Sequence, residues 1–128
     1  YQGEKYSGIH AIDAKNGELL WSHIPPVKCE NKKNCHGGIS AAVTAIPGAV
    51  FAGHIDGMLR AYNGHDGAIL WEFDTSNNLK TLNGMEAHGG SISGSGPAVG
   101  DGYLLVNSGY DFGDLMPGNL LISFVPDQ

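Results

Sequence analysis

The sequence contains one eleven-residue pattern twice, fifty positions apart. Residues 11–21 read AIDAKNGELLW and residues 61–71 read AYNGHDGAILW. Both copies begin with alanine, carry a glycine four residues before the tryptophan and end in Leu-Trp, and Asn16 of the first copy corresponds to Asp66 of the second. A unit repeated at this period indicates a repeat architecture, because a single unit cannot bury its apolar face alone.

Four short segments around the second copy have the β-branched content and turn-bounded length of strands. Glycine-containing turns separate them, and they comprise residues 39–46, 49–53, 58–62 and 68–73. Four antiparallel strands joined in succession form a meander. Such a unit, repeated roughly every 40 to 50 residues, is typical of a β-propeller blade.

We therefore predict an all-β fold built of four-stranded antiparallel blades, with about two and a half blades in this chain, a partial propeller. Residues 1–23 hold the last two strands of a blade, residues 39–73 form a complete blade, and residues 89–124 supply three strands of the closing blade. Closed propellers need more blades than this. We expect the chain to be a C-terminal fragment, a processed chain or an assembling subunit.

The repeated pattern has a structural interpretation. Asp13, or Asn63 in the second copy, starts a tight turn, and Gly17 or Gly67 supplies the positive φ at its end. Trp21 and Trp71 are then expected to lie across the junction between neighbouring blades, because large aromatic side chains are more often core residues than ligands. A cofactor-stacking role for the tryptophans is the alternative.

Composition and charge exclude some partners. Hydrophobic residues make up 41% of the chain, which is enough for a core, and the net charge is −6. This charge argues against a nucleic-acid partner. No run of 18 apolar residues is present, so we predict no membrane span.

Two cysteines, Cys29 and Cys35, flank a polar segment that reads ENKKN. A disulfide closing this loop is the first interpretation, and it implies an oxidising compartment, that is a secreted, extracellular or periplasmic protein. Two free thiols are the alternative. A metal site is less favoured, because only His36 lies beside the cysteines.

Loop lengths indicate which face of the propeller is functional. The turns between strands one and two and between strands three and four of each blade are short and lie on one face. The segments 24–38, 74–88 and 109–118 are longer than closure requires and fall on the opposite face. Arg60, in a strand, is expected to pair with a neighbouring acid. The candidate residues of the long-loop face are His36, His54, Asp56, Asn83, Glu86, His88, Tyr110, Asp111 and Asp114.

The pattern Ala-x-Asp-x-x-[Thr/Asn]-Gly-x-x-x-Trp resembles the tryptophan-docking repeat of pyrroloquinoline quinone (PQQ) propellers. Residues 11–21 match it well, and residues 61–71 depart from it at Asn63 and Asp66. The segments 39–62 and 89–124 look like the C-terminal part of polyvinyl-alcohol dehydrogenase-type quinoproteins. Because repeat units cannot bury their faces alone, the expected partners of this chain are the remaining blades of a parent protein or other copies of the chain.

The resemblance also implies a cofactor site where the long loops enter the innermost strands. It assigns Asn83, Glu86, His88, Ser91 and His36 to PQQ, with Ser40 nearby, and Glu86 and Asn83 to a calcium ion, which prefers oxygen ligands. His88 stands where this family is expected to have a lysine. A histidine is charged only when protonated, so the departure weakens the match. No catalytic base is assigned.

Two functions follow from the resemblance. The first is a PQQ-dependent alcohol dehydrogenase that oxidises small-molecule alcohols, of which this chain is a part. The second is a non-catalytic secreted propeller that serves as a binding or scaffold module, since fold does not imply function.

Overall fold

The computed structural model describes residues 7–110 and 113–126. These residues form strands and loops, and none of them builds a helix of the length and apolarity needed to cross a membrane. The strands in chain order are β1 (Ile9–Ile12), β2 (Leu19–His23), β3 (Thr44–Ile46), β4 (Ala49–Gly53), β5 (Met58–Asn63), β6 (Ile69–Asp74), β7 (Asn78–Lys80), β8 (Glu86–His88), β9 (Ala98–Gly100), β10 (Tyr103–Ser108) and β11 (Leu120–Phe124).

The strands form three successive antiparallel blades and one additional hairpin. The first blade contributes β1 and β2, the second is the four-stranded sheet β3-β4-β5-β6, and the third is the three-stranded sheet β9-β10-β11. Strands β7 and β8 pair separately between the second and third sheets. The predicted all-β partial propeller is confirmed.

Some strands are shorter than the sequence predicts, because the backbone before them is used for contacts between blades. Strand β3 begins at Thr44 rather than at Ile39. A Cβ built on Gly96 would lie 2.0 Å from the carbonyl oxygen of Ala42, so the chain before β3 touches the segment before β9 instead of extending the sheet. The predicted loop 74–88 was also incomplete as a description, since it contains the hairpin β7-β8.

Strand β5 of the second blade is covered on both faces, which explains why five of its six residues are buried. Leu59 packs toward the third blade in a cluster with Ile92 and Val106. Tyr62 packs on the other face, toward the first blade, with Ile9 and Ala52. Side chains at odd and even positions of a strand point to opposite faces, so β5 joins the two hydrophobic clusters.

Trp21 of the first blade lies on the outer turn of the second blade. Its indole Nε1 donates a hydrogen bond to the carbonyl oxygen of Gly64 at 3.0 Å. A Cβ on Gly67 would lie 2.5 Å from the Trp21 ring, so only glycine leaves room for the indole. Trp71 contacts the third blade through an edge-to-face pair with Phe124, at a centroid distance of 5.1 Å.

The repeat itself provides a test of this contact. Gly67 and Gly17 occupy equivalent positions with φ of 73° and 75°, so alanine at either position carries the same backbone strain of roughly 1–2 kcal/mol. At Gly17 the new Cβ meets no atom within 4 Å. Because overpacking costs about 1–3 kcal/mol, we expect Gly67→Ala to lower the free energy of unfolding by that much more than Gly17→Ala in urea titrations. Equal losses would contradict docking of Trp21 on Gly67.

Candidate functional site

The hairpin β7-β8 presents an exposed polar face. Its register pairs Asn78 with His88 and Lys80 with Glu86, and residues paired across strands point to the same side of a sheet. Glu86 and His88 are two residues apart on β8 and both are exposed. The structure therefore brings two of the predicted site residues onto one face and adds Lys80, which the sequence analysis did not single out.

Asn83 lies in the turn of this hairpin, where its side chain has a structural role. Its Oδ1 accepts hydrogen bonds from the Thr81 hydroxyl and from the backbone N–H of Met85 at 3.3 Å. Calcium takes six to eight oxygen ligands, and the described residues contain no group of three His, Cys, Asp or Glu side chains suited to hold a metal ion. The pair Asn83 and Glu86 alone does not fit a calcium site.

Ser91 is buried, with 1% of its surface exposed. Its hydroxyl donates to the carbonyl oxygen of Ile55 at 2.6 Å and accepts from the backbone N–H of Met116 at 3.1 Å. A Cβ on the neighbouring Gly89 or Gly90 would collide with backbone oxygens at about 2 Å. The Gly-Gly-Ser segment thus brings backbones into direct contact between the second and third blades, and the hydrogen bonds of the Ser91 hydroxyl stabilise this junction.

The other candidates from the sequence lie apart from the hairpin or are buried. His36, Ser40, Tyr110 and Asp114 are exposed in loops. Asp111 lies outside the described residues. His54 and Asp56, at the turn between β4 and β5, are each 2% exposed. Their burial separates them from the solvent-exposed candidates and makes them part of an internal polar cluster.

The carboxylate of Asp56 is the centre of this cluster. Its Oδ1 accepts from the backbone N–H of Met58 at 3.0 Å, which stabilises the turn into β5. Its Oδ2 accepts from the backbone N–H of Lys28 at 3.0 Å and lies 3.4 Å from Arg60 Nη2. The same side chain therefore joins the second blade to the loop that arrives from the first blade.

Arg60 is fully buried and paired with acids, as the sequence predicts. Besides Asp56, its Nε donates to Glu72 at 3.3 Å, and its Nη2 donates to the carbonyl oxygen of Pro26 at 3.0 Å. Lys28 also forms an ion pair with Glu72. The hydrogen bond from Lys28 lowers the pKa of Glu72, and Arg60 acts in the same direction.

The loop that covers the cluster is closed by the predicted disulfide, which is confirmed between Cys29 and Cys35. Within this loop Lys32 reaches Asp74 at 2.9 Å and the carbonyl oxygen of Asp56 at 3.3 Å. Burial raises the pKa of Asp74, but hydrogen bonds from Ser76 and Lys32 outweigh it, so the pKa is lowered overall. The disulfide loop is thus held to the second blade by ionic contacts.

His54 and Tyr62 form a buried pair beside the cluster, with His54 Nε2 and the Tyr62 hydroxyl 3.0 Å apart. Burial, reinforced by the positive charge of Arg60, lowers the pKa of His54 from 6.5 to about 4. Burial raises the pKa of Tyr62 to about 12. Both side chains are therefore neutral at physiological pH.

Comparison with known proteins assigns this architecture to a family. The PQQ_2 family model, described as outer membrane protein assembly factor BamB, matches residues 1–87. The chain belongs to the PQQ-type propeller family. The repeats at residues 11–21 and 61–71 are the units that carry the family pattern in this sequence.

Relatives with known activities resemble a larger part of the chain. A polyvinyl alcohol dehydrogenase from Pseudomonas sp. is 41% identical over 131 residues, covering 94% of this chain and 20% of that protein. The polyvinyl alcohol dehydrogenase of Sphingopyxis sp. strain 113P3 is 42% identical, covering 80% of this chain and 16% of that protein. The chain thus spans a fifth or less of the length of these relatives.

A solved structure supports the same grouping. Quinohemoprotein alcohol dehydrogenase ADHIIG from Pseudomonas putida HK5 is 26% identical to this chain and superposes with a TM-score of 0.61. The match covers 81% of this chain and 14% of that protein. The described blades therefore correspond to a small part of that larger protein.

The depressed pKa of His54 predicts an acid-sensitive fold. Unfolded chains take up a proton at histidine below pH 6.5, whereas the folded protein excludes it until about pH 4, so stability falls as the pH falls through this window. By pH 5 the loss from His54 is about 2 kcal/mol. We expect His54→Gln, which keeps a hydrogen-bonding partner for Tyr62, to remove this part of the pH dependence in urea unfolding at pH 7 and pH 5.

The exposed His65, in the tight turn between β5 and β6, provides the matched control. His65→Gln should retain the full loss of stability between pH 7 and pH 5. If His54→Gln shows the same loss as the unmodified protein, the buried histidine is not the source of the acid sensitivity.

Proposed function

We propose that this chain is part of a PQQ-dependent alcohol dehydrogenase of the quinoprotein type, which oxidises alcohols to carbonyl compounds. The observation that carries the proposal is the 41% identity to a polyvinyl alcohol dehydrogenase over 94% of this chain. Solved quinohemoprotein alcohol dehydrogenase supports it through the shared fold. The proposal concerns the complete propeller, of which these blades are one sector.

The exposed face of β7-β8 is the proposed contribution of this chain to the cofactor site. PQQ, when bound, supplies the two-electron acceptor for the oxidation of an alcohol. Its carboxylates need cationic partners, and Lys80 and His88 lie on the same face of the hairpin. Lysine is the more strongly basic of the two residue types. The family is expected to have a lysine where this chain has His88. Lys80, on the same face of the hairpin, is the proposed source of that positive charge.

Glu86 and His36 differ in their position relative to the hairpin face. Glu86 lies directly opposite Lys80 in the register of the hairpin, so it belongs to the proposed face. His36 is exposed on the loop behind the disulfide and stays a predicted contact. Asn83 is not part of a calcium site in this proposal, since its Oδ1 accepts hydrogen bonds within its own turn.

The disulfide supports an oxidising location for the protein, because such bonds persist in secreted and periplasmic proteins and are rare in the cytosol. We propose an extracytoplasmic location on this basis. The proposed partners are the remaining blades, because the apolar edges of the first and third blades need neighbours to cover them. Leu105 and Leu121 of the third blade, which are 41% and 67% exposed, mark one such edge.

A scaffold function is the second candidate, and the family match favours it specifically. The family model that covers residues 1–87 is described by an assembly factor rather than by an enzyme. In that case the hairpin face is a surface without a cofactor. A purified complete propeller that carries no quinone, and that gives no dye-linked alcohol oxidation with added PQQ and calcium, would support the scaffold and exclude the enzyme.

The dehydrogenase proposal predicts how His88 responds to substitution. His88→Lys places a charge on the hairpin face at every pH of interest. We expect it to strengthen PQQ binding at pH 8 by roughly tenfold, the effect of one charge-assisted hydrogen bond of about 1.5 kcal/mol. The measurement is quenching of intrinsic fluorescence on titration with PQQ, followed by dye-linked alcohol oxidation.

His65→Lys is the matched control, since it adds the same charge on the face with the tight turns. It should leave the affinity for PQQ unchanged, whereas Lys80→Met should weaken it. Equal effects of lysine at positions 65 and 88 would show only a general attraction of the anion, and the hairpin would lose its proposed role.

A further inference from the structure

Within residues 7–110 and 113–126 the imidazole of His88 makes one hydrogen bond, to the carbonyl oxygen of the next residue. The distance from its Nδ1 to the oxygen of Gly89 is 3.0 Å. A carbonyl oxygen accepts hydrogen bonds and donates none, so Nδ1 carries the proton of this bond. In the neutral imidazole the second nitrogen, Nε2, is therefore unprotonated and is an acceptor.

The backbone on both sides of this hydrogen bond is held in place by its neighbours. A Cβ built on Gly89 would lie 2.0 Å from the carbonyl oxygen of Thr75 and 2.4 Å from Ser108 Oγ, so the glycine is packed against both. Asn119, just before β11, holds the backbone of His88. Its N–H donates to the His88 carbonyl oxygen at 2.9 Å, and its Oδ1 accepts from the His88 N–H at 3.3 Å. The fold thus favours the Nδ1–H tautomer of His88.

The unprotonated nitrogen of His88 belongs to the exposed face of the hairpin β7-β8. The side chain is exposed, and Nε2 has no hydrogen-bond partner in the described part of the chain. Lys80 and Glu86 are paired on the same face. The ammonium group of Lys80 donates hydrogen bonds and accepts none, whereas the unprotonated Nε2 of His88 accepts and does not donate. The face therefore suits an anion at Lys80 and a hydroxyl at His88.

We propose that His88 binds the substrate alcohol, with Nε2 of the neutral imidazole accepting a hydrogen bond from the reacting hydroxyl. This inference rests on the proposed dehydrogenase function and adds to it the residue that orients the hydroxyl. An ionised carboxylate of PQQ has no proton to donate to Nε2, so the carboxylates are left to Lys80. The tautomer decides between the two roles, because an imidazole protonated at Nε2 would donate to a carboxylate instead of accepting from a hydroxyl.

The tautomer can be measured without cofactor or substrate. Free histidine in water prefers the Nε2–H tautomer, and a hydrogen bond donated by Nδ1–H reverses this preference. Long-range ¹H–¹⁵N spectra of the protein labelled with ¹⁵N-histidine distinguish the two forms at pH 8, and glutamine variants identify each signal by its loss. His36 and His65 are the internal controls, since their rings make no hydrogen bond within the described residues.

The expected result is the Nδ1–H tautomer at His88 and the Nε2–H tautomer at His36 and His65. A His88 signal with the Nε2–H pattern of the two controls overturns the proposal. This outcome is independent of whether the complete propeller is a dehydrogenase, because the spectra are recorded without quinone or alcohol.

The contact with substrate is tested in the complete propeller by dye-linked alcohol oxidation. His88→Leu removes the acceptor and should raise KM for the alcohol roughly fivefold, the effect of one neutral hydrogen bond, with the affinity for PQQ unchanged. His88→Gln, whose side-chain oxygen accepts a hydrogen bond, should keep KM within about twofold of the original value. His65→Leu, on the face with the tight turns, is the matched control and should leave KM unchanged.

The two possible failures are distinguishable. If the unmodified propeller oxidises alcohols and His88→Leu keeps its KM, the contact with the hydroxyl is wrong and the dehydrogenase stands. If the unmodified propeller oxidises no alcohol, the dehydrogenase is wrong and the role of His88 falls with it.

Discussion

The burial of the Asp56 carboxylate constrains most of the surrounding structure. A buried charge must be paired and hydrogen-bonded, and the partners of Asp56 come from the turn into β5, from Arg60 and from the loop that follows the first blade. That loop is in turn closed by the disulfide and tied by Lys32 to Asp74. One carboxylate therefore specifies how the covering loop sits on the second blade.

Close backbone approach is the second constraint, and it acts where the blades meet. Glycines at positions 89, 90 and 118 each lie so near a neighbouring backbone that a Cβ would collide with it. At the junction of the second and third blades the chain uses this proximity instead of side-chain packing on the inner side, whereas Trp71 and Phe124 pack on the outer side. The tapered gap between neighbouring blades thus takes small residues at its narrow part and an aromatic ring at its wide part.

The repeat predicted the blades because it encodes the outer turns and their docking tryptophans, which are local features. The hairpin β7-β8 was missed, since its strands have three residues each and are too short for their alternation to stand out, although the Asn83-Gly84 dipeptide is a recognised hairpin signal. An acid partner for Arg60 was predictable from a lone cation in an apolar strand. The hydrogen bond from Arg60 to the Pro26 carbonyl oxygen was not predictable, because it depends on how the loop from residues 24 to 38 folds over β5. Whether Ser91 faces a ligand or the protein interior depends on the third blade in the same way.

The docking of Trp21 on Gly64 and Gly67 has a consequence for how such a chain lengthens. The tryptophan belongs to one blade and its receptor turn to the next, so the second blade carries a receptor turn for the blade before it and a tryptophan for the blade after it. Residues 61–71 contain both, since Gly67 receives Trp21 while Trp71 reaches forward to Phe124. A duplicated gene segment that encodes one repeat therefore also encodes contacts to the blades on both sides. Blade number can change by inheritance of a copied unit, without a new interface having to evolve.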